Sequence, residues 1–175
     1  MANFLIIYSS TDGHTVKICS VLRTVIQANA HQVTVVSVED SVRVDLQTYD
    51  TIIVGASIRY GKHNQQITNF INSNQLILDS KKNAFFSVNI VARKPEKNLP
   101  ETNPYMRKFL KRIPWKPKKL AVFAGKLDYP KYGYFDRMMI RLIMLITGGP
   151  TDPSTVVEFT DWQKVEIFGQ QVSEL

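Results

Sequence analysis

Residues Tyr8-Ser9-Ser10-Thr11-Asp12-Gly13-His14-Thr15 put four small hydroxyl side chains, a carboxylate and an imidazole around one glycine. The apolar run Phe4–Tyr8 stops at this loop, and a helical pattern begins at Thr15. A strand end, a tight loop with inward amides and a helix N-terminus together make a phosphate site. Ser9, Ser10, Thr11, Asp12, Gly13, His14 and Thr15 are therefore candidate ligand residues. No lysine or arginine lies in the loop, so amides and hydroxyls, not countercharge, would hold the phosphate. The Asp12 carboxylate must then point away from it. Neither G-x-x-x-x-G-K-[ST] nor G-x-G-x-x-G is present, which removes the best signals for triphosphate hydrolysis and dinucleotide binding.

The elements that position this loop alternate between strand and helix. Phe4–Tyr8 reads as a parallel strand buried on both faces. Ile18, Cys19, Leu22, Val25 and Ile26 form one stripe of a helix over about 15–30, with Cys19 in the core. Further strands are expected at Val33–Val38, Thr51–Gly55, Ala84–Val88 and Leu120–Ala124, and helices near Gln65–Ser73 and Tyr105–Arg112. Ala56–His63 is expected as a loop, and Arg93–Pro104 as a polar stretch. Thr155–Phe159 is extended, and Asp161 caps a closing helix that reaches Glu174. Such alternation implies an α/β fold with a doubly wound five-stranded parallel sheet, and one domain spanning 1–175.

Ligands of such sheets bind beyond the carboxyl ends of the strands. Two more loops start there: Ser57, Ile58, Arg59, Tyr60 and Gly61 after the third strand, and Ser87, Val88 and Asn89 after the fourth. Ile58 and Tyr60 offer one wall for a flat ring, Val88 to Ile90 the other. His63 is a candidate for stabilising a reduced cofactor or binding substrate; His31 reads as structural.

Charge is unevenly spread. The chain carries +7 overall, but residues 93–141 hold 14 Lys/Arg against 4 Asp/Glu, and the rest is net −3. The basic segment implies an anionic partner. No nucleic-acid module accompanies it, and no metal ligand set is read. The lone cysteine excludes an internal disulfide and fits a reducing compartment; no secretory leader is read at the N-terminus. About 29 residues, 126–154, are inserted after the fifth strand. Within them Tyr134–Thr147 makes a greasy helix of roughly 21 Å, too short to span a bilayer of roughly 30 Å. Tyr134, Phe135, Arg137, Met138, Arg141, Leu142 and Leu145 are its candidate contacts with a membrane interface or a hydrophobic partner.

Ser10, Thr11, Gly13 and Thr15 resemble the S/T-x-T-G-x-T phosphate loop of flavodoxins, with Asp12 in place of a hydroxyl residue. That resemblance implies FMN and sheet order 2-1-3-4-5. More widely, Val54–Gly61, Ser87–Lys97 and the insertion ending Gly148-Gly149-Pro150-Thr151-Asp152 resemble the bacterial flavodoxin-type, quinone-dependent protoporphyrinogen oxidase family. This implies oxidation of protoporphyrinogen IX in haem synthesis, with electrons passed to menaquinone or ubiquinone. It also implies peripheral attachment to the anionic cytoplasmic face of the inner membrane. Arg59, Arg93, Lys94 and Lys97 become candidates for the substrate propionates; no residue is assigned as a catalytic base. A flavodoxin-type electron carrier and an NAD(P)H:quinone reductase are the alternatives, the first disfavoured by the positive charge. Oligomeric state, a homo-oligomer included, is left open.

Overall fold

The computed structural model describes residues 1–175. Eight strands form: β1 (Asn3–Ser9), β2 (Gln32–Ser37), β3 (Thr51–Arg59), β4 (Lys62–His63), β5 (Lys82–Val88), β6 (Lys119–Phe123), β7 (Lys126–Asp128) and β8 (Val156–Glu158). Six helices accompany them: α1 (His14–Ala28), α2 (Gln65–Ser73), α3 (Gln75–Ser80), α4 (Pro104–Leu110), α5 (Tyr134–Thr147) and α6 (Trp162–Ser173). The five long strands run parallel in the order β2-β1-β3-β5-β6, with β4 attached antiparallel to β3. Among these five strands the order is the expected 2-1-3-4-5.

Successive side chains of a strand face opposite ways, so an apolar run serves two cores. Leu5, Ile7, Ile52, Val54 and Phe85 face α2 and α4, meeting Ile67, Ile71, Met106, Phe109 and Trp115. Phe4, Ile6, Ile53, Ala84 and Phe86 face α1 and α6, meeting Ile18, Cys19, Leu22, Val165 and Phe168. Cys19 is fully buried there, and burial pushes its thiol pKa up, so it is packing rather than a nucleophile. His31 is structural, its Nδ1 accepting from the Ala2 amide at 3.1 Å.

One local reading needs correction, and the structure adds detail to others. The third strand does not stop at Gly55 but continues to Arg59 and turns back into β4, so Ala56–His63 is mostly a hairpin. Its turn, Tyr60-Gly61, has positive φ at both residues (48° and 74°), the two-residue geometry whose twist suits a hairpin. The stretch before α4 contains short 3₁₀ turns at Ile90–Arg93 and Pro95–Lys97, and α3 follows α2 directly. The extended run near Val156 is not in the main sheet. It pairs antiparallel with β7 (Leu127 opposite Val157), so the chain between them, with α5, rises from a two-stranded stalk.

Gly55 shows how tightly the central strands are packed. It pairs with Phe86 across β3 and β5, and a Cβ at Gly55 would sit within the Phe86 ring. Gly55→Ala should therefore destabilise the fold by about 1–3 kcal/mol, the usual cost of overpacking. Urea unfolding of the ligand-free protein measures it.

Candidate functional site

Sheet register brings the three candidate loops to one level. Ser9 pairs with Ala56, and Ala56 with Ser87, so β1, β3 and β5 release their chains side by side. Beyond this edge lies a pocket of about 350 Å³, within the range of small-molecule sites. Ser10 through Thr15, Ser57 through Gly61, Val88 and Asn89 all line it. Ser9 and Ser87 do not; they are buried one step behind, within the strands.

The first loop has the form a phosphate requires. Ser10 Oγ accepts from the Gly13 amide at 3.1 Å, closing a tight turn, and Gly13 takes φ 81°, a left-handed conformation that favours glycine. α1 then begins without any side-chain cap on its first turn, leaving amide donors for a ligand. Thr15 Oγ1 is buried there with no hydrogen-bond partner, and so is Ser9 Oγ. Buried hydroxyls without partners are costly. An anion seated in the loop is the group that would relieve Thr15, so the residues fit a phosphate.

His14 anchors the loop from outside. Its Nε2 lies 2.6 Å from Thr160 Oγ1, whose own proton goes to the Ala124 carbonyl at 2.7 Å. Nε2 must therefore be the donor, which fixes the tautomer. Burial holds the imidazole pKa below its usual value.

Arg59 spans the pocket mouth. Its guanidinium pairs with Asp12 of the loop at 3.3 Å and with Asp136 in the first turn of α5. The Asp12 charge is thus drawn to Arg59, and Arg59 is committed to two carboxylates. Arg93 does not line the pocket at all. Its Nη2 donates to the Thr147 carbonyl and hydroxyl at 3.0 Å, and Nη1 to the Ile90 carbonyl at 3.2 Å, so it closes the C-terminal end of α5. Lys94 and Lys97 lie outside the pocket on the 3₁₀ turns.

His63 does not line this pocket. Its Nε2 sits 2.8 Å from Ser87 Oγ, which also accepts from Asn89, and its ring packs on Phe109 at 4.4 Å. Asn89 and Asn103 exchange amide hydrogen bonds, and Asn103 caps α4. This buried network ties the end of β5 to α4 and sets the pocket's back wall. Burial lowers the His63 pKa to about 3, so the ring is neutral.

The insertion supplies residues that strand-end reasoning missed. Ile140, Ile143 and Met144 of α5 roof the pocket, and Gly125, Lys126, Asp128, Lys131 and Tyr132 close one side. Tyr105 comes from α4, and Lys17 and Glu158 from the far rim. Positions 140, 143 and 144 follow helical spacing, the one sequence signal that marks an inward face. Leu127, Tyr129, Tyr132 and Met144 make a small separate core beneath the helix. Tyr129 Oη donates to the Pro150 carbonyl at 2.7 Å. The opposite face of α5, with Tyr134, Phe135, Met138, Leu142, Leu145 and Ile146, is exposed. Arg137 and Arg141 border that face but reach the chain's own carbonyls, Tyr132 at 3.3 Å and Thr151 at 2.8 Å.

Comparison with known proteins agrees with this geometry. Residues 5–154 match the flavodoxin domain family. Among solved structures, oxidised flavodoxin 2 of Bacillus cereus aligns over 99% of both chains with TM-score 0.55 and 19% identity. Flavodoxin 1 of the same organism covers 99% of this chain and 98% of its own, with TM-score 0.54 and 17% identity. These likenesses define a flavodoxin-fold protein. At the sequence level, protoporphyrinogen IX dehydrogenase [quinone] of Escherichia coli K12 is 42% identical over 171 residues, covering 98% of this chain and 94% of its own. The Leishmania major protein of the same name is 40% identical over 172 residues, covering 98% and 74%. The chain belongs to the family of quinone-linked protoporphyrinogen IX dehydrogenases, flavodoxin-fold oxidoreductases.

The His63 environment makes a prediction about acid stability. Above pH of about 6.5 the ring is neutral in both states and adds no pH dependence. Between about 6.5 and about 3 the unfolded chain takes up the proton and the native state does not. Stability should then fall with pH at up to ~1.4 kcal/mol per unit from this group. His63→Phe should lose less melting temperature between pH 7 and pH 5 than the parent. A residual loss from His14, shifted the same way, should remain.

Proposed function

We propose that this chain uses FMN to oxidise protoporphyrinogen IX to protoporphyrin IX in haem biosynthesis, delivering the electrons to a respiratory quinone such as menaquinone. The observation that carries the proposal is the unpaired, buried Thr15 hydroxyl at the uncapped start of α1, opening into a largely apolar pocket. Family membership supports the substrate and acceptor, which are those of the relatives' names. Bound FMN supplies the redox centre.

The chain's own residues bind, orient and exclude water. Ser10, Thr11, Thr15 and the first amides of α1 hold the phosphate end. Ile58 and Tyr60 on the hairpin, with Val88 at the end of β5, form apolar walls for the ring, and Asn89, its amide already engaged by Ser87 and Asn103, closes the site behind them. Ile140, Ile143 and Met144 shield the site from above. Arg59, tied to both the loop and α5, holds that roof in register with the phosphate site.

The exposed face of α5 is assigned in this proposal to the surface of an anionic bilayer on the cytoplasmic side of the inner membrane. No helix of the chain is long and apolar enough to cross a membrane. A 14-residue helix with one apolar face outward is suited to lying in the interface. Lys94 and Lys97, on the turns that follow the carboxyl end of β5, form no ion pair with a carboxylate, and an anionic headgroup layer complements them. A quinone dissolved in that layer would meet the roofed pocket directly.

Three measurements test these assignments. Purified protein should show a flavin spectrum and form fluorescent porphyrin from protoporphyrinogen IX when a quinone is supplied. Full flavin loading without turnover on any quinone, or rapid flavin reduction by NADPH, would refute the assigned reaction. Thr15→Val should weaken FMN binding about tenfold or more, as loss of a hydrogen bond to a charged group does. The same change should leave the ligand-free protein as stable or more so, because it deletes an unpaired buried hydroxyl; titration calorimetry and melting separate the two effects. Leu142→Glu with Leu145→Glu should abolish co-sedimentation with phosphatidylglycerol vesicles while FMN stays bound. Unchanged sedimentation would remove α5 from the membrane assignment.

A further inference from the structure

We infer that the substrate's carboxylates are received outside the flavin pocket, in an adjoining basic cleft between the β3–β4 hairpin and α4, with Lys62, Lys108 and Arg112 as the recognising groups. The inference rests on the proposed reaction and assigns its specificity determinants.

The cations around the main pocket are already engaged. Arg59 is shared by Asp12 and Asp136, Lys17 pairs with Glu158 at 3.2 Å, and Lys126 and Lys131 both face Asp128 at 3.0 and 3.7 Å. Arg93 is bound to the end of α5. A dianionic substrate carrying its carboxylates into that pocket would have to break one of these pairs.

The neighbouring cleft, about 100 Å³, offers the reverse situation. Lys62, Lys108 and Arg112 line it, no aspartate or glutamate does, and none of the three forms an ion pair. Phe109 and the His63 ring form its apolar floor. Lys108 sits in the last turn of α4 and Arg112 in the turn that follows the helix, and both line the cleft.

The cleft and the main pocket share Gly61 and Tyr105, and a Cβ at Gly61 would lie 3.6 Å from the Tyr105 ring. These two residues make a ridge between the two spaces. A reduced tetrapyrrole is a broad apolar disc with both propionates on one edge. Lying across the ridge, it would put its oxidisable carbons over the flavin pocket and its anionic edge over the three cations. Apolar surface and charge are then matched at the same time, and no existing ion pair is broken.

The test uses FMN-loaded protein without lipid, a water-soluble quinone, and two substrates: protoporphyrinogen IX and its dimethyl ester, which lacks both charges. Lys108→Glu with Arg112→Glu, at exposed positions, should raise KM for the free acid about tenfold or more with kcat changed less than about twofold. KM for the ester should not respond to the charge reversal, and FMN affinity should be unchanged. Lys108→Arg with Arg112→Lys, which keeps the charges, should preserve the parent KM. Protoporphyrin IX binding, followed by fluorescence, should weaken in the reversed variant and with added salt. Equal KM changes for acid and ester, or no change in either, would overturn the inference. Should no quinone support turnover, the reaction assignment fails, while porphyrin binding to parent and variant still decides the cleft.

Discussion

The alignment of Ser9, Ala56 and Ser87 across three parallel strands is the constraint on which the site depends. Parallel register leaves no freedom here. Once Phe4, Thr51 and Lys82 are set in their pairings, the chain leaves β1, β3 and β5 at one height. Three loops must then face one another over the sheet edge, whatever residues they contain. The two cores enforce the register, because a one-residue slip of β1 would exchange Leu5 and Ile7 with Phe4 and Ile6 between unlike helix layers.

What the sheet does not supply is a cover, and the insertion provides it. The β7–β8 stalk has only three residues per strand and cannot hold a helix alone. α5 is fixed by three further ties: Met144 in the small tyrosine core, Arg93 at its C-terminal end, and Asp136 against Arg59 at its start. Exposed ion pairs contribute little stability, of order 0–1 kcal/mol. Arg59 is half-buried, however, and bridges two carboxylates on separate elements. Its contribution is position: it sets the helix start relative to the phosphate loop. Met144, buried opposite the exposed Leu142 and Leu145, divides the helix into an inner face for the site and an outer face that this chain leaves uncovered.

Sequence patterning read the sheet and most helices because apolar periodicity is a local record of burial. Phe4–Tyr8 and Ala84–Val88 announce strands buried on both faces, and Tyr134–Thr147 announces a helix. Ser10 to Thr15 was legible for the same reason, since hydroxyls and glycine at a strand end have few other uses. The hairpin at Tyr60-Gly61 was not legible, because Tyr60 adopts positive φ without being glycine or asparagine. Arginine roles were the least legible. Arg59 and Arg93 read alike as free cations near the strand ends, and only the fold shows that one pairs with Asp136, 77 residues away, and the other with Thr147. Long-range pairing leaves no periodic trace.

That long-range pairing also explains why the chain is so basic without a basic main pocket. Cations at the pocket rim are matched by Asp12, Asp128, Asp136 and Glu158, which keeps the rim near neutral. A phosphate seated in the first loop as proposed would be held by amides and hydroxyls without competition from a nearby lysine, and a ring in the apolar part of the pocket would be free of strong fields. The surplus charge is displaced onto the turns before α4, onto α4 itself and onto Lys116 to Lys119. Lys116 to Lys119 lie at the amino end of β6, the opposite edge of the sheet, whereas the charges on these turns and on α4 stand beside the pocket mouth, with Tyr105 at the boundary. Charge attraction falls off within about 10 Å at ordinary ionic strength, so a band placed there acts on anions arriving at the mouth more than on a phosphate already seated. Under the proposed function, retention of the cofactor and recognition of anionic partners would thereby fall to different atoms.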